Sequence, residues 1–210
     1  MQLQIIETGP MPVNTYILED EKSKEAVIID LGGGFKQIKE DLDGRNYKIK
    51  YILNTHGHFD HVLGGIYVQK NYPDIPIYMH KDDLPHIINL KQEMRFFGEN
   101  AEETELKINN FIDENSNLDI GGRKIQILHT PGHSKGSLSF YIENRLFSGD
   151  ALFFRSIGRT DFYDGDYNTL INSIKTKLFN LPDSTVVYPG HGISTVLADE
   201  KKYNQYLNIS

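Results

Sequence analysis

The segment Thr55-His56-Gly57-His58-Phe59-Asp60-His61 puts four residues able to bind a metal into six positions. Three imidazoles and a carboxylate form a mixed nitrogen and oxygen set, which suits zinc, iron or manganese. Packing alone does not call for this. Histidine and aspartate sit poorly in a core without partners, and a surface turn gains nothing from three histidines so close together. Three later positions repeat the theme: His133 in His129-Thr130-Pro131-Gly132-His133, Asp150 in Ser148-Gly149-Asp150, and His191 in Pro189-Gly190-His191-Gly192. Each has a glycine neighbour, whose missing Cβ lets backbone approach a ligand closely. The candidate ligands are therefore His56, His58, Asp60, His61, His133, Asp150 and His191. Seven are too many for one tetrahedral ion. They suit two divalent ions if one carboxylate bridges and solvent completes the open positions.

The elements that must position these residues follow from apolar patterning. Tyr51-Ile52-Leu53 reads as a buried strand, and Val62 to Val68 carries the apolar spacing of a helix, so the first cluster falls on a strand-to-helix turn. Ile125 to Leu128, Leu146-Phe147 and Val186 to Tyr188 are strands that run into the later candidates. Upstream, Gln2 to Ile6, Thr15 to Leu18 and Ala26 to Asp30 read as strands, and Gly32-Gly33-Gly34 turns the chain into a helix with Phe35, Ile38 and Leu42 on one face. Ile75 to Met79 is a short strand. Leu138 to Tyr141 and Arg145 to Ser148 form a hairpin turning at Glu143-Asn144. Asp166 can cap a helix with the stripe Leu170, Ile171, Ile174, Leu178 and Phe179, stopped by Pro182. The stretch from Ile87 to Leu118 is polar and acidic and reads as helix with a lid-like loop. Strands at both ends with interleaved helices imply an α/β fold of two packed mixed sheets between helices. His129 reads as a supporting group at a strand end, and His80 and His86 as surface or internally satisfied histidines.

With 210 residues the chain is expected to form one domain over 1–210 with a substantial core. It contains no cysteine, which excludes a disulfide framework, a thiolate metal site and a cysteine nucleophile. The N-terminal residues lack the basic and apolar regions of a signal peptide, and no apolar run approaches a membrane span, so a cytoplasmic location is expected. A formal charge of −7 argues against a nucleic-acid partner.

In combination and order, H-G-H-F-D-H, H-T-P-G-H, S-G-D and P-G-H-G resemble the metallo-β-lactamase superfamily, and within it the short bacterial glyoxalase II-like (hydroxyacylglutathione hydrolase-like) branch. The resemblance implies an αββα four-layer sandwich. It implies that His56, His58 and His133 hold one metal, that Asp60, His61 and His191 hold a second, and that Asp150 bridges them. Two ions about 3.5–4 Å apart can share a water whose pKa falls from about 15.7 toward about 7, and Asp60 could orient the resulting hydroxide. The expected reaction is hydrolysis of a small-molecule thioester or ester, S-acylglutathione being the type substrate, with two divalent ions, zinc or else iron or manganese.

A basic residue at the Arg159 position grips glutathione in that branch. Arg159 can do so with two hydrogen bonds to a carboxylate, or can spend them on a salt bridge to Asp161. Asp161 stands where full-length glyoxalase II enzymes usually have an aromatic residue, and the resemblance to the short form implies no expectation of their helical C-terminal domain. True β-lactamases usually lack the Asp150 carboxylate. A persulfide dioxygenase-like oxygenase, with one iron on His56, His133 and Asp150, is the alternative; an RNA-processing nuclease and a non-catalytic binding module rank lower. Oligomeric state is left open.

Overall fold

A computed structural model describes residues 1–102 and 104–207. The first sheet contains β1 (Gln2–Thr8), β2 (Val13–Asp20), β3 (Glu25–Ile29), β4 (Lys48–Leu53), β5 (Ile77–Met79) and β6 (Asn110–Phe111), in that spatial order. Its first three strands are antiparallel, and β3 to β6 run parallel. After it come β7 (Leu118–Ile120), β8 (Arg123–His129), β9 (Leu138–Ile142), β10 (Arg145–Gly149), the small hairpin β11 (Leu152–Phe153) with β12 (Ser156–Ile157), β13 (Val186–Pro189) and β14 (Thr195–Val196). The second sheet has the order β14-β13-β10-β9-β8-β7, with a single parallel pair, β10 with β13.

Alternation along the strands builds the layers. In β3, Val27 and Ile29 face the second sheet, where they meet Phe140 and Phe147, while Ile28 faces the opposite way. Helix α1 (Phe35–Gly44) covers that outer face with Phe35, Ile38 and Leu42, all buried, at a gain of roughly 1.5–3 kcal/mol for each large apolar side chain. On the far side Leu146 and Val187 face outward from the second sheet. They pack under Leu170 and Ile174 of the helix after Asp166 and Leu197 of the C-terminal helix. Three apolar layers separating helix, sheet, sheet and helix make the αββα sandwich.

Several local expectations hold. Glu143 and Asn144 both adopt positive φ, the backbone of a tight hairpin turn. Asp166 caps its helix by accepting a 2.7 Å bond from the Thr169 amide. Others change in detail. The helix read over Val62 to Val68 is two pieces, α2 (Phe59–Val62) and α3 (Gly64–Asn71), because the Gly64 amide bonds to the Leu31 carbonyl instead of continuing the ladder. The acidic middle stretch holds α4 (Leu84–Ile88), α5 (Leu90–Phe96) and strand β6, which alternation did not reveal because it has two residues, both exposed. Helix α6 (Tyr167–Thr176) stops before Leu178 and Phe179, which lie in a separate 3-10 turn, and α7 (Leu197–Tyr203) follows β14. Among the described residues no helix is long and apolar enough to cross a membrane.

Cross-sheet hydrogen bonds join the strand ends at one edge of the sandwich. Asn14 on β2 bonds through its amide to the Gly190 carbonyl at 2.7 Å, and through its side chain to the carbonyls of Pro189 and Gly192. The Leu138 amide at the start of β9 reaches the Thr55 carbonyl at 2.7 Å. The seven candidate ligands lie along this seam.

Candidate metal centre

Three imidazoles of the centre, His56, His133 and His191, are anchored by one ring nitrogen and turn the other inward. Thr55 donates its hydroxyl to Asp30 Oδ2 at 2.7 Å, so its oxygen accepts from His56 Nδ1 at 3.0 Å. That leaves His56 Nε2 buried without a hydrogen-bond partner. His133 donates from Nδ1 to the Arg159 carbonyl at 2.8 Å, and His191 donates from Nδ1 to the Pro12 carbonyl at 2.7 Å. His61 sets Nδ1 3.0 Å from Asp30 Oδ2. Outward anchoring fixes the tautomer and aims the free nitrogen, as metal-binding histidines require.

The inward atoms form two groups. His56, His58 and His133 converge with ring centroids 4.6–4.8 Å apart and planes near perpendicular. Asp60, His61 and His191 form the second group: His191 Nε2 lies 3.2 Å from Asp60 Oδ2 and 3.3 Å from His61 Nε2. In both groups every ligand atom is within 4.8 Å of the others. Asp150 stands between them, with Oδ2 3.5 Å from His133 Nε2 and Oδ1 3.5 Å from His61 Nε2. Its Oδ1 is buried and unpartnered. A Cβ on Gly190 would lie 2.1 Å from that oxygen, so only glycine lets the His191 loop pass.

Electrostatics separates the two groups. Burial, and then the neighbouring imidazoles, hold His56 and His58 well below the ordinary histidine range, so both are neutral and free to donate lone pairs. Burial acts the same way on His61, but the carboxylates of Asp60, Asp30 and Asp150 outweigh it and push the ring up to about 10. Burial would also raise the Asp60 carboxyl, yet His61 and His191 bring it below its usual range. Three nitrogens beside a group of carboxylates and imidazoles, with His56 Nε2 and Asp150 Oδ1 left without partners, fit a pair of divalent cations on chemical grounds.

One organising residue escaped the sequence reading. Asp83, fully buried at the foot of α4, accepts from the Gly57 amide at 2.8 Å, the Ser134 hydroxyl at 2.8 Å and the Gly136 amide at 2.5 Å. It therefore ties the His56–His58 loop to the loop carrying His133. Lys81-Asp82-Asp83 offers two adjacent aspartates after a strand, and nothing local says which one turns inward. His86 is buried rather than at the surface: it bonds Glu93 at 2.5 Å and Asp164 at 3.0 Å, with its ring against His58. His129 ends β8 away from the cluster, stacked on His80 and bonded to the Lys135 carbonyl. Arg159 forms the two-pronged pair with Asp161, both contacts 2.9 Å and both side chains exposed, while its guanidinium lies over the Phe162 ring.

A cavity of about 530 Å³ opens above the centre, walled by α5, the β11–β12 hairpin and the loop through Phe162. Fold, seam and ligand order together place the chain: it belongs to the metallo-beta-lactamase superfamily, whose family model matches residues 8–191. It is a metallo-hydrolase of that superfamily. The probable metallo-hydrolase YqgX of Bacillus subtilis is 33% identical, over 99% of this chain and 98% of its own length. The hydroxyacylglutathione hydrolase GloC of Haemophilus influenzae is 34% identical, over 99% of each. Among solved structures, the B3 metallo-beta-lactamase BLEG-1 matches with TM-score 0.88 and 36% identity, covering 99% of this chain and 100% of its own. TTHA1623, in a di-iron-bound form, matches with TM-score 0.84 and 33% identity over 97% and 100%. ETHE1 from Myxococcus xanthus matches with TM-score 0.79 and 27% identity over 100% and 86%.

Proposed function

We propose that this chain is a thioesterase of the glyoxalase II type, cleaving an S-acylglutathione or a closely related thioester. The observation that carries the reading is Asp150 lying between two complete ligand groups on the floor of an open cleft. His56, His58 and His133 would hold one ion and Asp60, His61 and His191 the other, with Asp150 shared. Divalent ions there, zinc or else iron or manganese, would supply Lewis-acid activation of water and of the thioester carbonyl at neutral pH.

The chain's own groups do the rest. Asp60, kept ionised by His61 and His191, can accept a hydrogen bond from the attacking water and orient it. As the water oxygen bonds to the acyl carbon its proton passes to Asp60, the C–S bond breaks, and the sulfur leaves as a thiolate that takes up that proton, giving the carboxylic acid and the free thiol. Phe59, Phe97 and Phe153 line the cleft. Arg159, at the rim, can exchange Asp161 for a glutathione carboxylate, since the exposed pair is weakly held.

The test is steady-state hydrolysis of S-lactoylglutathione by the metal-loaded protein, with nitrocefin and glutathione persulfide in parallel. The likenesses to BLEG-1 and ETHE1 motivate the second and third substrates. Thioester turnover supports the reading; oxygen consumption with persulfide, or lactam cleavage, without thioester hydrolysis overturns it. Arg159→Ala is expected to raise KM for the glutathione thioester by roughly three- to tenfold while kcat changes little, a charged contact partly offset by the lost Asp161 pair.

A further inference from the structure

The cleft walls are apolar beyond what a small hydroxyacyl group needs. Met11 from the β1–β2 turn, Phe96 and Phe97 at the end of α5, and Phe153 and Ile157 from the β11–β12 hairpin converge above His191 and Asp60. Phe96 is 82% exposed and its ring meets Phe97 edge-on at 5.2 Å, while Phe97 in turn packs on the buried Phe59, so Phe96 completes no core at the tip of α5. Single exposed apolar residues are ordinary, whereas a contiguous group around a reaction centre marks a binding wall. Arg159 is the only lysine or arginine lining the cleft among the described residues, and it stacks on Phe162. The carboxylates of a glutathione half thus have one cation to pair with, and the apolar group is left for the acyl half.

We infer that the acyl group of the substrate is bulky and apolar, aromatic or branched, and lies against Met11, Phe96, Phe97, Phe153 and Ile157. This rests on the thioesterase reading. A lactoyl group is too small to cover these five side chains and would leave most of them in water. An acyl group with an aromatic ring fills the wall, and even one methylene in an apolar pocket is worth about tenfold in selectivity.

Matched substrates isolate the acyl group. The metal-loaded protein is assayed on S-phenylacetylglutathione and S-lactoylglutathione, each kcat/KM divided by the rate of hydroxide hydrolysis of the same compound. The phenylacetyl substrate is expected to be preferred by about tenfold or more. Phe96→Ser, at a position too exposed to carry the fold, is expected to lower that ratio by roughly threefold, since part of the wall is removed. A second readout needs no turnover. Calorimetry with S-phenacylglutathione, a thioether that cannot be hydrolysed, against S-methylglutathione is expected to show tighter binding and a negative heat-capacity change for the aromatic compound. A normalised ratio at or below one overturns the acyl assignment while leaving the thioesterase reading in place. No thioester hydrolysis, with the phenacyl thioether still preferred, overturns the thioesterase reading and keeps the apolar wall as a binding site. Equal binding of the two thioethers overturns the wall itself.

Discussion

The two candidate ligand groups touch, yet they would attract a cation by different means. Around His56 and His58 the donors are buried imidazoles that repel each other's protons, so they meet an ion as neutral lone pairs. Around His61 and His191, the carboxylates of Asp60 and Asp150, joined at His61 by Asp30, outweigh burial and raise the rings' affinity for protons, so a metal there would compete with protons. In the proposed centre one half would recruit by geometry and the other by charge. Asp150, facing both, is where the two strategies meet.

The contrast can be broken most severely at that shared carboxylate. Asp150→Ala is expected to remove metal from both groups and to lower kcat/KM by more than about 100-fold, above the range typical of residues that only support ligands. Elemental analysis and turnover together check this. Loss of one equivalent with near-normal turnover would show that the residue does not serve both halves.

His191→Ala sharpens the comparison by damaging the charged half alone. One equivalent of metal is expected to remain on His56, His58 and His133, with turnover reduced by roughly 10- to 100-fold. An anomalous-scattering map with two fully occupied sites would remove His191 from the ligand set.

Asp83→Asn probes the neutral half from beneath. Asparagine has one acceptor oxygen where Gly57, Ser134 and Gly136 present three donors, so a buried donor loses its partner and faces an amide N–H₂. Zinc affinity by chelator competition is expected to weaken about tenfold. Unchanged affinity with a lowered melting temperature would reduce Asp83 to a purely structural group.

Acidity gives the mildest test. His61 and His191 have raised pKa values, so protons compete with metal there as pH falls, while His56 and His58 stay neutral across the same window. Lowering the pH from about 8 to about 6 is expected to release metal from the Asp60–His61–His191 group first. Simultaneous release of both equivalents in an equilibrium titration would erase the electrostatic distinction. In the metal-free protein the sign reverses. The raised pKa of His61 stabilises the fold below the ordinary imidazole value of 6.5, and that contribution fades as pH rises through about 10.

Much of this was legible before any coordinates. The chemistry of the centre is written in residue types, because imidazole and carboxylate beside glycine at the end of an apolar run have little structural purpose of their own. Strand ends such as Leu53 and Phe147, the turn at Glu143-Asn144 and the cap at Asp166 are local properties, set by alternation and backbone preference within a few residues. Tertiary structure decided which groups converge. His86 and His191 are alike as isolated residues, yet one is held between the carboxylates of Glu93 and Asp164 and the other faces Asp60. Arg159 could grip a ligand or Asp161, and its geometry shows the pair made at the rim. Asp83 was one of two neighbouring aspartates until the loops of Gly57 and Gly136 closed on it. These outcomes depend on sheet order and on contacts between residues far apart in the chain, such as Asn14 with Gly190 and Thr55 with Leu138, and no local periodicity encodes them.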